Sequence, residues 1–320
     1  MLRKLSWFAA ALVAAMLAYC LVIGWQLSSG LKEMVTVGGP FTGVPLQTAD
    51  PLVLDYDGDP QRAFGWPFET VAIDGELGAL PAWVVPPAAG ADARAADTWM
   101  VYTHGIGGRR ENGYRFLSVA RPLGITTLLY AYRNDAGAPR SPNGIYSFGL
   151  QEWRDLEAAV ALARERGARR IILAAESMGG AIVAQFLRHS PHASAVTAAV
   201  LDAPALDLHQ TLRHFVVASG LPLAEPVTWV ATQVTPRRVG IDLAETLTLP
   251  VFDTQPRFLF NAHGDTDGRV PISISDELKR RRPDSTYLRT HAPHVESWSE
   301  DPQRYRDALG GFLRGVLADS

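Results

Sequence analysis

A serine stands at the centre of Ala175-Glu176-Ser177-Met178-Gly179, where the run Arg170 to Ala174 gives way to the helical pattern Met178 to Arg188. The run predicts a buried strand, and Gly179, Gly180, Ala181 and Ala184 predict a helix that packs closely through small residues. A serine at such a junction sits on a tight turn with its hydroxyl thrust outward, the arrangement written GxSxG and known as a nucleophile elbow. Alanine replaces the first glycine here, a small change, since only glycine has a smaller side chain. Such a serine can attack a carbonyl if a base and an acid reach it.

Two other stretches supply candidates for those partners. Trp99 to Thr103 predicts a strand that opens into His104-Gly105-Ile106-Gly107-Gly108. Glycines there leave backbone N–H groups free to meet a developing negative charge, so the amides of Ile106 and Met178 are the candidate oxyanion hole, with His104 shaping the loop. One such donor contributes roughly 3 to 4 kcal/mol in the transition state. Downstream, Arg257 to Asn261 predicts a strand that feeds His263-Gly264-Asp265-Thr266-Asp267-Gly268-Arg269-Val270-Pro271. Asp267 fits the acid position of HGxxDxxVP, and Asp265 competes with it but suits a turn or Asx hydrogen bond. Asp202, after the apolar run Ala198 to Leu201, is a third candidate whose Leu-Asp-Ala-Pro setting reads as a turn.

In this chain order the histidine follows the acid, which leaves His291 and His294 beyond a last strand, Thr286 to Thr290. His294, further out in His-Val-Glu-Ser-Trp, is favoured as the base, and His291 reads as a capping or supporting residue. Together these segments resemble the α/β-hydrolase superfamily over about Phe68 to the C-terminus. The chain is most similar to membrane-anchored α/β-hydrolase-domain proteins, and more loosely to the dienelactone hydrolase and prolyl oligopeptidase groups. The resemblance implies Ser177 as nucleophile, Asp267 as triad acid, His294 as general base, and Ile106 and Met178 as oxyanion donors.

The elements that must position these residues follow the same pattern. Phe68 to Asp74 and Leu80 to Val85 alternate like a hairpin, Ile125 to Tyr130 predicts a strand, and Glu152 to Arg166 an amphipathic helix. Strands alternating with helices imply a mostly parallel central sheet flanked by helices, with the site at the carboxyl ends of the strands. Between residues 203 and 256 the pattern is interrupted by a stretch rich in apolar residues, which predicts a small helical cap. The basic run Lys279 to Arg282 reads as a solvated helix end.

With 320 residues, 47% apolar and 20% charged, the chain can hold one large core plus an appended segment. A net charge of -3 offers no electrostatic case for nucleic acid, and the single cysteine, Cys20, cannot form an internal disulfide. Lysine occurs only as Lys4, Lys32 and Lys279, against abundant arginine and alanine, a bias expected of a G+C-rich bacterial gene. Leu5 to Leu27 is almost wholly apolar and long enough to cross a bilayer. Arg3 and Lys4 before it put the N-terminus in the cytoplasm and the domain outside. A cleaved signal peptide and a lipoprotein cysteine at Cys20 are the weaker rivals.

The expected organisation is therefore a transmembrane anchor over 1–29, a juxtamembrane linker over 30–65 and a catalytic domain over 66–320. The expected activity is hydrolysis of carboxylic esters through an acyl-enzyme, with a small-molecule ester or acyl substrate and no metal or organic cofactor. A serine peptidase acting on short peptides and a non-catalytic binding protein are the alternatives. The sequence leaves acyl length and oligomeric state open.

Overall fold

The computed structural model describes residues 2–40, 48–54, 56–92 and 95–319. Its centre is an eight-stranded sheet whose inner strands are apolar on both faces, as a sheet covered by helices on both sides requires. The strands are β1 (Glu69–Gly75), β2 (Gly78–Val85), β3 (Thr98–Thr103), β4 (Thr126–Tyr130), β5 (Arg170–Glu176), β6 (Val196–Asp202), β7 (Phe258–Gly264) and β8 (Thr286–Thr290). They lie in the order β1-β2-β4-β3-β5-β6-β7-β8. β2 runs antiparallel to β1 and β4, and every other neighbouring pair is parallel. This is the mostly parallel α/β architecture expected from the sequence.

Alternation along the strands divides the core in two. In β5, Ile171, Leu173 and Ala175 join one apolar cluster and Ile172 and Ala174 the other. Helices α1 (Leu2–Val35), α2 (Pro60–Phe64), α3 (Tyr114–Ala120), α4 (Trp153–Glu165) and α5 (Met178–His189) precede β6. After it come α6 (Leu208–Ala218), α7 (Ala224–Val239), α8 (Ser273–Arg281), α9 (Ser297–Glu300) and α10 (Pro302–Ala318). Leu156 and Val160 of α4, Ile182 and Phe186 of α5 and Ile274 and Leu278 of α8 cover the first face. Phe116 and Leu117 of α3 and Tyr305, Leu309 and Leu313 of α10 cover the second. Helices α6 and α7 form a hairpin within the span expected to make a cap.

The N-terminal helix is longer than the expected anchor. It runs to Val35, and the chain beyond it is pinned to the domain: Tyr146 N–H donates to Val35 O at 2.8 Å, Val37 N–H to Gly144 O at 3.0 Å. Residues 3–18 are exposed, whereas Cys20, Leu27, Ser28, Leu31 and Val35 are buried against the domain. The start of the expected linker is thus helix, its end carries α2, and Tyr56 is buried. Residues 41–47 and 55 of that linker lie outside the described residues.

The basic run is not wholly solvated either. Arg282 is buried, because its guanidinium donates to the carbonyls of Phe252 at 2.9 Å, Pro256 at 3.1 Å and Arg257 at 3.1 Å. It closes the turn that precedes β8, a task a periodicity argument cannot see.

Helix α1 crosses α7 at Gly24, where a Cβ would stand 2.6 Å from Val230 Cγ1 and 2.9 Å from Val227 O. Overpacking of this kind costs about 1–3 kcal/mol. Gly24→Leu is therefore expected to lower the melting temperature of the full chain in detergent by a few degrees. Gly30→Leu, where nothing lies within 4 Å, is the matched control. Equal melting temperatures for the two variants would mean that α1 does not dock.

Candidate active site

Ser177 joins β5 to α5 with φ 51° and ψ −122°, a conformation that costs a residue with a side chain about 1–3 kcal/mol. The surroundings hold it there: Ser177 N–H donates to Asp202 O at 2.9 Å, and Ala205 N–H to Ser177 O at 3.0 Å. The turn is tight enough that a Cβ on Gly179 would meet Thr103 O at 2.3 Å, and one on Gly105 would meet Ser177 Cβ at 2.9 Å. Ala175, by contrast, lies at the end of β5 with its methyl in the core, so the missing glycine costs the turn nothing.

The parallel register of β5, β6, β7 and β8 brings the loops after β5, β7 and β8 to one rim. There Ser177 Oγ–H donates to His294 Nε2 at 2.9 Å, and His294 Nδ1–H donates to Asp267 Oδ2 at 2.7 Å. Asp267 Oδ1 accepts from the backbone N–H groups of Arg269 at 2.8 Å and Val270 at 2.9 Å. Burial pushes this carboxyl upward, but hydrogen bonds from His263 and His294, the charge of His294 and the Val270 N–H outweigh it. They hold Asp267 well below the usual carboxylate range. It is therefore an acceptor throughout the neutral range, and it fixes the tautomer that leaves His294 Nε2 free to take a proton.

His263 is the second histidine on that carboxylate. Its Nε2 lies 3.0 Å from Asp267 Oδ2 and 3.1 Å from Val270 O, and its Nδ1 lies 2.6 Å from Ser275 Oγ. Two acceptors face Nε2, so Nε2 carries the proton and Nδ1 accepts from the serine hydroxyl. The competing residues sit elsewhere. Asp265 pairs with His291 at 2.6 Å on the surface, with the histidine 80% exposed. Asp202 is no turn residue: it ends β6, is buried, and its Oδ2 accepts from Tyr305 OH at 3.0 Å. Burial pushes its carboxyl above the usual range.

Met178 opens α5, so its N–H has no acceptor within the helix. The Ile106 N–H meets no hydrogen-bond acceptor among the described residues, while Gly108 N–H closes the loop onto Gly105 O at 3.0 Å. His104 is buried beneath this loop with Nδ1 2.8 Å from Gly105 O and Nε2 2.9 Å from Asp135 Oδ2. Both ring nitrogens face acceptors, a pairing only the imidazolium satisfies. Burial opposes the charge, yet the Asp135 carboxylate and the Gly105 carbonyl raise His104 above the ordinary histidine value. Asp135 is itself held by Tyr132 N–H at 2.7 Å and Tyr146 OH at 3.1 Å.

Arg115 of α3 joins two of the loops from below. It is 2% exposed, donates from Nη1 to Val295 O at 2.6 Å and pairs through Nη2 with Glu176. Glu176 immediately precedes Ser177, and Val295 follows His294 in the left-handed region at φ 62°. One guanidinium thus ties the strand end before Ser177 to the strained histidine loop, and Asn112 Nδ2 adds a donor to Glu176 at 3.0 Å.

A family model described as serine aminopeptidase, S33, matches residues 148–300, a span that holds Ser177, Asp267 and His294. The chain has the α/β-hydrolase fold. An esterase from Pyrococcus furiosus superposes with a TM-score of 0.63 at 20% identity, over 86% of this chain and 99% of that one. A proline iminopeptidase-related protein from Thermus thermophilus gives 0.58 at 16% identity, over 79% and 99%. A serine hydrolase from Xanthomonas campestris described as lacking a lid gives 0.55 at 17%, over 85% and 97%. No curated relative matches the chain. Within this fold Arg115, Asp135 and His263 are the supporting residues that sequence reasoning missed. Only the HG pair at His263 and Gly264, inside the quoted pattern, carried any local signal.

Removing Arg115 or Asp135 has a distinct signature in each case. Arg115→Met leaves Glu176 buried without its cation, a loss of about 3–5 kcal/mol, so both melting temperature and turnover are expected to fall. Adding Glu176→Gln removes the unpaired charge and should recover the melting temperature but not the turnover, because Val295 O still lacks its donor. Recovery of both would reduce Arg115 to a purely structural role. The raised His104 contributes stability that is complete below its unfolded value of about 6.5 and is lost as pH rises through the folded value. The stability gap between the native chain and Asp135→Asn should therefore be wider at acid than at alkaline pH by thermal denaturation. A gap that is flat with pH would show that His104 is neutral.

Proposed function

We propose that the chain is a membrane-tethered serine hydrolase that cleaves carboxylic esters. The observation that carries this reading is the unbroken hydrogen-bond line from Ser177 Oγ through His294 to Asp267. His294 takes the Ser177 proton as the hydroxyl oxygen attacks the ester carbonyl, and the Ile106 and Met178 amides receive the oxyanion. Collapse breaks the bond to the alcohol, which leaves with the proton held by His294. Water then attacks the acyl-serine, giving its proton to His294, and the acid departs as the serine hydroxyl re-forms.

The tether is α1, whose span Arg3–Val35 is long and apolar enough to cross a bilayer. Arg3 and Lys4 on its leading end favour a cytoplasmic N-terminus and an extracytoplasmic domain. The ester reading draws support from the esterase fold neighbours. The family model favours a second reading, release of N-terminal residues from short peptides by the same three side chains.

Purified full chain is expected to react with a fluorophosphonate probe and to hydrolyse p-nitrophenyl esters, with both activities lost in Ser177→Ala by roughly 10⁴- to 10⁶-fold. Faster release from aminoacyl-arylamides than from esters would select the peptidase reading. Labelling that persists in Ser177→Ala would refute the assigned nucleophile.

A further inference from the structure

The second half of α1 lies along α7 in the same direction. Tyr19 OH donates to Pro222 O at 3.3 Å beside the start of α7, and Arg238 Nη1 donates to Trp25 O at 2.9 Å near its end. Between them Gly24 meets Val227 and Val230, and Ser28 accepts from Thr235 at 3.2 Å. The α6–α7 turn is thereby level with the point where α1 leaves the domain.

The part of α1 that stands clear of the domain is too short to cross a bilayer. Leu5 to Ala18 rises about 20 Å, against a hydrocarbon layer of about 30 Å. Leu5 to Trp25 rises about 30 Å, so the layer must take in α1 as far as Trp25, where α7 is already packed against it. Trp25 suits the boundary: it is exposed, and the Arg238 guanidinium lies 3.6 Å from its ring centre, a pairing typical of the interfacial belt.

The cap is apolar at that level. Outside α1, the exposed large apolar side chains among the described residues are Phe215, Val217, Trp229 and Leu247. Three of these four lie on α6 and α7, next to the turn that is level with Tyr19. From Val217 to Ala224 the chain carries no charge, and the flanking charges Arg213 and Glu225 neutralise each other at 2.8 Å. Beside them, Leu21, Val22, Trp25, Val230 and Val234, with Gln26 as the one polar member, line a shallow groove of about 380 Å³ between α1 and α7.

We propose that the tip of the α6–α7 cap, with the outward face of α1 beside it, is immersed in the outer monolayer of the membrane that α1 crosses. This inference rests on the tether reading above and not on the catalytic one. The cap is then a lipid-embedded surface.

The test uses the full chain in phosphatidylcholine proteoliposomes, with Cys20→Ser as background and a polarity-sensitive dye on single cysteines. Phe8→Cys reports the tether, Phe215→Cys and Trp229→Cys the cap tip, and Glu165→Cys, at the end of α4, the far edge of the sheet. Lipids spin-labelled near the ester end of the acyl chain are expected to quench positions 8, 215 and 229 and to leave 165 bright. Quenching at 8 alone keeps the tether and overturns the immersed cap. No quenching at any position overturns both. A dye at 215 or 229 that reports an apolar setting yet escapes quenching would mean that a second copy of the chain covers the tip, and the proposal fails.

Discussion

The buried guanidinium of Arg115 is the interaction on which the site's geometry hangs. The loops after β5 and β8 are separated by two intervening strands and by more than a hundred residues of sequence; the parallel sheet brings both to one rim but does not by itself set the spacing of the loop tips. Arg115 sets it by binding Glu176 on one side and Val295 O on the other. A charge so deep is costly by itself. It is tolerated because the carboxylate it meets is equally buried and because its second hydrogen bond satisfies a carbonyl that the left-handed turn at Val295 leaves without a ladder partner. Arg115 thus supports the strained turn at Val295 directly and the one at Ser177 through its neighbour Glu176, alongside the backbone bonds of Ser177 with Asp202 and Ala205.

What the sequence made legible was local. Ser177, Asp267 and His294 each follow a strand that announces itself by composition, and each stands in a motif only a few residues long. The sheet was legible for the same reason, since its inner strands are uninterrupted apolar runs. Arg115, Asp135 and Arg282 were not, because each acts on backbone or side chains tens to hundreds of residues away. An arginine inside an amphipathic helix reads as a solvent-facing residue, and only the packed structure reveals that its partners are buried with it. The boundary of α1 escaped for a related reason: its polar residues Ser28, Ser29 and Lys32 resemble the end of a membrane span. In the folded chain Ser28 meets Thr235 across the contact with α7.

Asp267 illustrates how one carboxylate serves two demands. Oδ1 is consumed by two backbone donors, which orient it, and Oδ2 is shared by His294 and His263. The sharing is stable because His263 is locked from its other side by Ser275 and cannot rotate to take the whole lone pair. A lone aspartate on a strand-end loop would have to find its orientation in each encounter with His294. Here four donors fix it before any substrate arrives, which is what preorganisation means in hydrogen-bond terms.

A chain of hydrogen bonds joins the N-terminal helix to the loop after β3. Val35, the last residue of α1, accepts from Tyr146 N–H, whose ring hydroxyl donates to Asp135, whose other oxygen faces His104 beneath Gly105. Every step is a direct hydrogen bond or a single residue, and all the side chains are shielded from water. The helix ends in a β-bridge between Thr36 and Ile145, inside the segment that positions Asp135. It therefore contributes through Leu27, Leu31 and Val35 to the domain's own core, so the boundary that hydropathy draws at the end of the apolar run is not a boundary in the packing.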